Sequence, residues 1–478
     1  MTTPHARRAI PGPRGTALWR FLFRFPHAPQ QRLLDLVLEH GEIVELNFIA
    51  ERVVVVACPE YIEHVLHHRH QNYDKQTARW EAVRQAWGTG LLVADGDLWR
   101  RQRQRMQPAF HQEALRRFGA IVVEESERIA EVWRAAAAAG QVRDIYKDTL
   151  AGAVRAITRS MFGTDVESKT NTIYAALADV HDYINPMSIM NVWRVPPAVQ
   201  RLVHPDYPRF RRAYQVIHGI FDDIITRRIA APPAQADLLG MMMAARDDET
   251  DQTMSATQLH DEMMGMLMAG HETTGIATTW SFHWLSKHPD VEARFHGELD
   301  AVLGGRLPTF EDLPKLTYTR MILQESLRIT PPTWGIDRRA REDDEIDGYL
   351  IRKGTKVALS PFVVHHLPNY WPDPERFDPE RFTDAQEKAR PTYAYFPFGG
   401  GPRRCVGMRF AMAEAQLMLA VLGQSFSLRL QPGAEVFPVA RTTLVPHGGV
   451  PMTVRPRVVP ASAPASNADS ERINADQR

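Results

Sequence analysis

Hydrophobic positions recur with helical spacing along most of the chain, and the longest such pattern runs from Met254 to His288. Ser255 is a suitable N-cap for this helix, and Pro289 closes it. The methionine- and leucine-rich stretch 263–268 makes the helix apolar nearly all round, as is typical of a helix buried at the centre of a fold. Strand patterns are short, and the clearest is a pair at 43–48 and 52–57.

Other helical patterns are separated by glycine, proline or polar stretches, and they cover 30–39, 113–163 with a break at Gly140, 171–182, 208–228, 289–303, 318–330 and 407–422. The apolar, methionine-containing stretch 184–193 is predicted to be a flexible connection between two of them. The expected fold class is therefore mainly α with a small β-rich lobe.

Composition narrows the function without identifying it. The chain of 478 residues carries 57 basic and 57 acidic side chains, so nothing indicates a nucleic-acid partner. Its two cysteines, Cys58 and Cys405, exclude a disulfide framework and suit the cytoplasm. No apolar run reaches the ~18 residues that cross a bilayer. The aromatic segment 18–25 contains Arg20 and Arg24, and we expect it to pack on the body of the protein, with membrane contact as the alternative.

The clearest chemical signal is the stretch Phe398-Gly-Gly-Gly-Pro-Arg-Arg-Cys-Val-Gly407, which precedes a predicted helix. Its glycines allow a tight turn and the close approach of a flat ligand. Arg403 and Arg404 place positive charge beside the Cys405 sulfur, which favours the thiolate. A thiolate near a helix N-terminus suits an axial ligand of haem iron, whereas the alternative is a buried and inert cysteine.

This stretch resembles the haem-ligand loop of the cytochrome P-450 superfamily, the haem-thiolate monooxygenases. Phe398, Gly401, Arg403, Cys405 and Gly407 fill that family's pattern Phe-x-x-Gly-x-Arg-x-Cys-x-Gly. The resemblance spans roughly residues 10 to 455 and implies haem b with Cys405 as the iron ligand. It implies one large haem-thiolate domain over 29–456, after a basic, proline-rich segment 1–28 and before a tail 457–478 that we expect to be disordered.

A second motif, Ala269-Gly-His-Glu-Thr-Thr274, lies within the long helix. It resembles the family's oxygen-activation motif, which implies that Gly270 makes room for dioxygen, that Thr273 hydrogen-bonds the distal oxygen, and that Glu272 relays protons. A zinc protease is the competing interpretation of the same letters, because His-Glu begins the motif His-Glu-x-x-His. Residue 275 is glycine rather than histidine, so that interpretation fails.

The resemblance implies three further groups of site residues. The groups are the contacts of the haem propionates (Trp99, Arg103 and Arg338), a buried ionic cluster (Glu325, Arg328 and Arg381), and a substrate pocket (Trp87, Leu92, Met268, Ala269, Thr333 and Trp334).

The implied function is the insertion of one atom of O₂ into a lipophilic small molecule such as a fatty acid, terpene, steroid or polyketide. Because the chain has no room for a flavin or iron–sulfur domain, NAD(P)H-derived electrons are expected from a separate ferredoxin with its reductase, or from a flavodoxin. We expect a soluble, cytoplasmic monomer. The alternatives are a haem-thiolate isomerase, dehydratase or peroxygenase, and a non-catalytic haem sensor.

Overall fold

The computed structural model of the chain describes residues 8–47, 51–190, 206–231, 237–247 and 249–457. Its α-helices are α1 Thr16–Arg24, α2 Pro29–His40, α3 Pro59–Glu63, α4 Ala78–Trp87, α5 Gly96–Met106, α6 Gln112–Ala138, α7 Ile145–Phe162, α8 Thr170–Met190, α9 Tyr207–Ala230, α10 Leu238–Ala244, α11 Ala256–Lys287, α12 Pro289–Leu303, α13 Thr317–Ile329, α14 Pro361–His365, α15 Asp384–Ala389 and α16 Met408–Ser425.

The strands are β1 Ile43–Asn47, β2 Arg52–Val56, β3 Tyr73–Asp74, β4 Val142–Asp144, β5 Ile336–Ala340, β6 Asp344–Ile346, β7 Tyr349–Ile351, β8 Lys356–Leu359, β9 Phe426–Leu430, β10 Pro438–Ala440, β11 Leu444–Pro446 and β12 Pro451–Pro456. The predicted fold class, mainly α with a small β-rich lobe, is confirmed. Within the described ranges no helix is both long and apolar enough to cross a membrane.

The long central helix forms as its sequence predicts. Ser255 caps α11 through a capping box, in which its hydroxyl accepts from the amide of Gln258 while the Gln258 side chain accepts from the amide of Ser255. The helix packs against α7 and α16. At Gly275 an added Cβ would come within 2.9 Å of the Leu150 Cα, so the missing side chain lets the backbones of α11 and α7 approach closely.

One connection differs from its prediction. The stretch 184–193 was expected to be a flexible link, but α8 continues through Met190. Asn185 and Pro186 do not end the helix, because the tertiary packing of α8 on α9 overrides the local preference for a break. Residues 191–193, residues 1–7 of the basic segment and residues 458–478 of the expected tail 457–478 lie outside the described residues, whereas Arg457 is held by the hydrogen bond from its amide to the Ser425 carbonyl.

The β-rich lobe is built on a five-stranded sheet with the strand order β1–β2–β8–β5–β3. The fully apolar run of β2 is its buried strand, paired antiparallel with β1 and parallel with β8, where Val54 lies opposite Val357. This pairing joins strands from the first and last thirds of the chain in one sheet. It also sets β5, which carries Arg338, beside the start of α4 and near α5.

Candidate functional site

The cysteine loop is held by backbone hydrogen bonds. The amide of Cys405 donates to the carbonyl of Phe398 over 3.0 Å, and the amide of Gly399 donates to the carbonyl of Phe396 over 2.9 Å. An added Cβ at Gly401 would collide with the Leu66 carbonyl at 1.8 Å. The absence of a side chain at Gly401 therefore lets the Leu66 backbone approach, and the expected close approach of a flat ligand to this loop stays a prediction.

The Cys405 side chain is exposed on one side, as a metal ligand must be. Burial of its surroundings raises the pKa of the thiol, while the amide of Gly407 and the positive charges of Arg103 and Arg404 act in the opposite direction. A bound metal ion deprotonates a coordinating thiol outright, so this arrangement favours the thiolate once iron is present.

Our assignment of the charges around the sulfur was partly wrong. The Arg403 guanidinium donates to Asp95 over 2.7 Å and lies 4.5 Å above the Trp99 ring, pointing away from the sulfur. Arg103 takes its place, because it donates to the Arg404 carbonyl over 2.9 Å and its charge acts on Cys405. Arg403 lies two residues before Cys405 in the sequence. The conformation of the loop, however, determines which guanidinium group approaches the sulfur.

Buried positive charge collects near the predicted propionate contact Arg338. Arg338 is 5 % exposed, and burial together with the charge of Arg403 lowers its pKa to about 10. Sequence reasoning missed Lys75, whose pKa is lowered well below its usual value by burial and by the charges of Arg338 and Arg403. The carboxylates that act on this cluster are the buried Asp337 and the half-buried Asp95, fewer than the three cations.

These residues fit haem b. Its two propionates would add the negative charge that Asp337 and Asp95 do not fully supply to Lys75, Arg338 and Arg403, because a buried cation is stable only when it is paired. Cys405 offers an accessible sulfur with a hydrogen-bond donor beside it. Of the predicted propionate contacts, Arg338 lies in this cluster and Trp99 lies beside it under Arg403, whereas Arg103 lies by the sulfur.

The motif on α11 presents its polar groups to different neighbours. The Thr273 hydroxyl, which is half-buried, donates to the Ala269 carbonyl over 2.8 Å, the back-bond expected of threonine inside a helix. The buried Glu272 carboxylate accepts from the Thr443 hydroxyl over 2.7 Å, in the loop between β10 and β11. An added Cβ at Gly270 would lie 3.1 Å from the Ile157 side chain, so the missing side chain lets α7 pack closely here, and the expectation that it makes room for dioxygen stays a prediction.

Behind the motif lies a carboxyl group that sequence reasoning missed. Glu414 of α16 is 1 % exposed, and burial raises its pKa to about 8, with the nearby Thr274 hydroxyl acting in the opposite direction. Glu414 follows Cys405 by nine residues on the helix that begins at the cysteine loop. A glutamate inside an otherwise apolar helical stretch was the signal that could have revealed it. This group holds a proton at neutral pH.

The structure brings together the three residues of the predicted ionic cluster, Glu325, Arg328 and Arg381. Glu325 and Arg328 are both fully buried, and two nitrogens of Arg328 donate to the two Glu325 oxygens over 2.7 and 2.8 Å. Arg381 pairs with Glu325 at 3.4 Å, and the amide of Asp378 donates to the same carboxylate over 2.9 Å. Burial raises the pKa of Glu325, while Arg328 acts in the opposite direction.

A histidine joins this cluster to the cysteine loop, and sequence reasoning missed it as well. His365 Nδ1 lies 3.1 Å from the Arg328 carbonyl, and the Phe396 amide donates to His365 Nε2 over 3.1 Å. Burial and the charge of Arg328 lower its pKa well below the usual range. The imidazole is therefore neutral with its proton on Nδ1, because one nitrogen donates and the other accepts.

The predicted substrate-pocket residues fall into two groups. Trp87 is 2 % exposed and belongs to the apolar cluster against which Met268 packs, and Leu92 lies beside Gly265 on α11. Trp334 packs against the cluster of the β-rich lobe, with its indole nitrogen donating to the Arg441 carbonyl over 2.9 Å. The remaining two are Ala269, which is exposed, and Thr333, which is half-buried.

A cavity of about 750 Å³ opens between α5 and the cysteine loop. Its lining includes Trp99, Arg103, Phe398, Arg404 and Met408. The rim is basic, and the cavity lies on the side of the loop that faces α5 rather than α11.

Comparison with known proteins agrees with this geometry. The family model described as Cytochrome P450 matches residues 10–452. The chain is 33% identical to cyclooctat-9-en-7-ol 5-monooxygenase of Streptomyces melanosporofaciens, covering 92% of each protein. It is 31% identical to pentalenene oxygenase of Streptomyces avermitilis, covering 85% of this chain and 88% of the relative. The crystal structure of the cytochrome P450DA heme domain superposes with a TM-score of 0.85 at 25% identity, over 95% of this chain and 99% of that one.

Proposed function

We propose, from the premise that this chain belongs to the cytochrome P450 family, that it is a monooxygenase of terpenes. The family and the oxidoreductase class are shown by the match over 10–452 and by relatives that are named as a monooxygenase and an oxygenase. The terpene substrate rests on the names of those relatives, which act on terpenes. Of the four substrate classes that the sequence left open, this one has specific support.

The proposed reaction balances as substrate, dioxygen, two electrons and two protons giving hydroxylated substrate and water. Haem iron with a thiolate ligand supplies the activation of dioxygen when it is bound. The chain's own residues hold the sulfur, neutralise the propionates and deliver protons. The observation that carries the proposal is the accessible Cys405 on a loop fixed to a buried scaffold, with Arg103 and Arg404 beside it.

Proton delivery is assigned to α11 and α16. We propose that the Thr273 hydroxyl donates its hydrogen bond in one of two directions. It points toward the substrate side of α11 during proton delivery, and it donates to the Ala269 carbonyl at other times. Glu272 and Glu414 are the buried carboxyl groups behind it, and Glu414 holds its proton at neutral pH because burial raises its pKa to about 8. Gly270 contributes the close packing of α7 that fixes this part of the helix.

The electron donor is proposed to be a separate acidic carrier, a ferredoxin with its reductase or a flavodoxin. The basic rim of the cavity beside α5, with Arg103 and Arg404, complements a negatively charged surface. The cytoplasm, where NAD(P)H is available, is the proposed compartment, and a monomer is the proposed state.

The test is a substrate screen with the purified, haem-loaded enzyme. Terpene hydrocarbons, terpene alcohols, fatty acids and steroids are compared by the spin-state shift of the haem band, and the compounds that bind are then incubated with NADPH, ferredoxin and ferredoxin reductase. We expect shifts with terpenes and an oxygenated product that requires both O₂ and the electron donor. A shift with fatty acids or steroids alone would reject the terpene substrate.

The same experiment separates the alternative functions. Product formed without O₂ would identify an isomerase or dehydratase, and product formed only with added hydrogen peroxide would identify a peroxygenase. Binding of O₂ without any product from the full panel would favour a sensor.

A further inference from the structure

We propose that α1 binds the surface of an anionic lipid bilayer. This helix, Thr16–Arg24, has one broad apolar surface, with Arg20 and Arg24 on the opposite side. Leu18, Phe21 and Phe25 pack against the core of the β-rich lobe. The part of this apolar surface that packs on the protein is its inner face. The part that the protein leaves exposed is its outer face.

The outer face exposes two large aromatic rings. Trp19 is 65% exposed and Phe23 is 82% exposed, the highest values for large apolar side chains among the described residues. They are four residues apart, so they lie on one face of the helix. Tryptophan and phenylalanine are the side chains with which interfacial helices enter the headgroup region of a bilayer.

The charges around these rings identify the partner. The first 34 residues contain six arginines and no acidic residue, although the whole chain has equal numbers of basic and acidic side chains. Arg14, Arg20 and Arg24 are exposed and make no ion pair with any other described residue. Arg20 and Arg24 follow Trp19 and Phe23 by one residue each, so the guanidinium groups flank the rings. An apolar surface flanked by unpaired arginines complements lipid headgroups that carry negative charge.

Both expectations for the segment 18–25 therefore hold, each for a different face. The inner face packs on the body of the protein, and the outer face contacts the membrane. A second copy of the chain is a weaker candidate for the outer face, because the arginines of two such helices would repel each other. A lipid surface would also concentrate lipophilic substrates near the enzyme. Binding of the enzyme to vesicles can be measured without any substrate turnover.

The test is sedimentation of the full-length, haem-loaded enzyme with vesicles. Vesicles of phosphatidylglycerol and phosphatidylcholine are compared with vesicles of phosphatidylcholine alone, at low and high salt. We expect binding to the anionic vesicles that weakens with salt. Trp19→Ser/Phe23→Ser and Arg20→Gln/Arg24→Gln should each reduce the partition coefficient by at least about tenfold, since each arginine near such a surface contributes about a fivefold factor.

The matched control is Ile229→Ser/Leu307→Ser, which removes exposed apolar side chains at 49% and 46% exposure from other parts of the surface. This control should bind vesicles like the unchanged enzyme. Failure of the unchanged enzyme to bind anionic vesicles, or equal binding by the Trp19→Ser/Phe23→Ser variant, would overturn the proposal. Light scattering that shows a dimer lost in the same variant would assign the outer face to a second copy instead.

Discussion

The carbonyl oxygen of Arg328 lies 3.1 Å from the Nδ1 atom of His365, and this contact connects the buried ionic cluster to the loop of the iron ligand. From His365 the connection continues through the Phe396 amide at 3.1 Å to the turn that ends at Cys405. The ionic cluster thus positions the sulfur through one imidazole. Five predictions test this scaffold and the chemistry that it supports.

The first prediction concerns His365 as a positioning residue. His365→Leu removes both hydrogen bonds and leaves the Phe396 amide buried without a partner, a loss of about 1–3 kcal/mol in stability. We expect the loop to shift, so that the reduced carbon-monoxide complex loses part of its thiolate-type absorption. His366→Leu is the matched control, because His366 is also buried but its contacts are with the Phe362 carbonyl and with Glu375 rather than with Phe396. An unchanged spectrum in His365→Leu would show that the loop holds the sulfur unaided.

The second prediction concerns the ionic cluster. Glu325→Ala leaves the guanidinium groups of Arg328 and Arg381 buried without their carboxylate, at a cost of about 3–5 kcal/mol. The expected result is little folded, haem-loaded protein, measured as the ratio of haem to protein after purification. Glu311→Ala, which removes an exposed partner of Arg116, is the control and should purify normally. Normal haem content in Glu325→Ala would mean that the cluster does not hold the fold.

The third prediction concerns the iron ligand. Cys405→Ser should abolish the thiolate-type absorption of the reduced carbon-monoxide complex, because Cys405 is the accessible sulfur in the loop. Cys58→Ser should keep it, because Cys58 lies at the end of β2 and donates to Glu60 over 2.8 Å. Persistence of the band in Cys405→Ser would reject the assignment.

The fourth prediction concerns proton delivery. Thr273→Ala should leave haem content and substrate binding nearly unchanged but should lower product formed per NAD(P)H by about 10²-fold, a typical loss for a general acid. Electron consumption should continue, and the reduced oxygen should leave as hydrogen peroxide, assayed in parallel. Thr274→Ala should be much milder, because its hydroxyl faces Glu414 on α16. Unchanged coupling in Thr273→Ala would leave water or the substrate itself as the proton carrier.

The fifth prediction concerns pH. Burial raises the pKa of Glu414 to about 8 and that of Glu262 to about 7, so the folded protein retains protons that the unfolded chain releases near pH 4.5. Stability should therefore fall as pH rises through this window, by up to about 1.4 kcal/mol per pH unit for each group.

Substitution separates the two groups. Glu414→Gln should flatten the decline between pH 7 and 8, where Glu262 no longer contributes, whereas Glu262→Gln should flatten it only below pH 7. The measurement is the thermal midpoint of the haem-loaded enzyme between pH 5 and 8.5. A decline between pH 7 and 8 that is unchanged in Glu414→Gln would show that Glu414 is ionised in the folded protein.

The sequence by itself determined the elements whose signals are local. The cap at Ser255, the apolar surface of α11 and the closing Pro289 predicted the central helix, because capping and periodicity act within a few turns. The glycines of the stretch 398–407 predicted the tight turn that carries Cys405, and the spacing of Glu325 and Arg328 predicted a pair on one helix face. These predictions depend on residues that are neighbours along the chain.

Only the tertiary structure decided which distant groups meet. Lys75 joins Arg338 because the sheet brings β5 beside the start of α4, and Glu414 meets Thr274 because α16 packs on α11. In the structure the positive charge of Arg103 acts on the Cys405 sulfur, whereas Arg403 binds Asp95. Burial decides the charge and the pKa of such groups, and burial depends on packing between segments hundreds of residues apart, which no local pattern encodes.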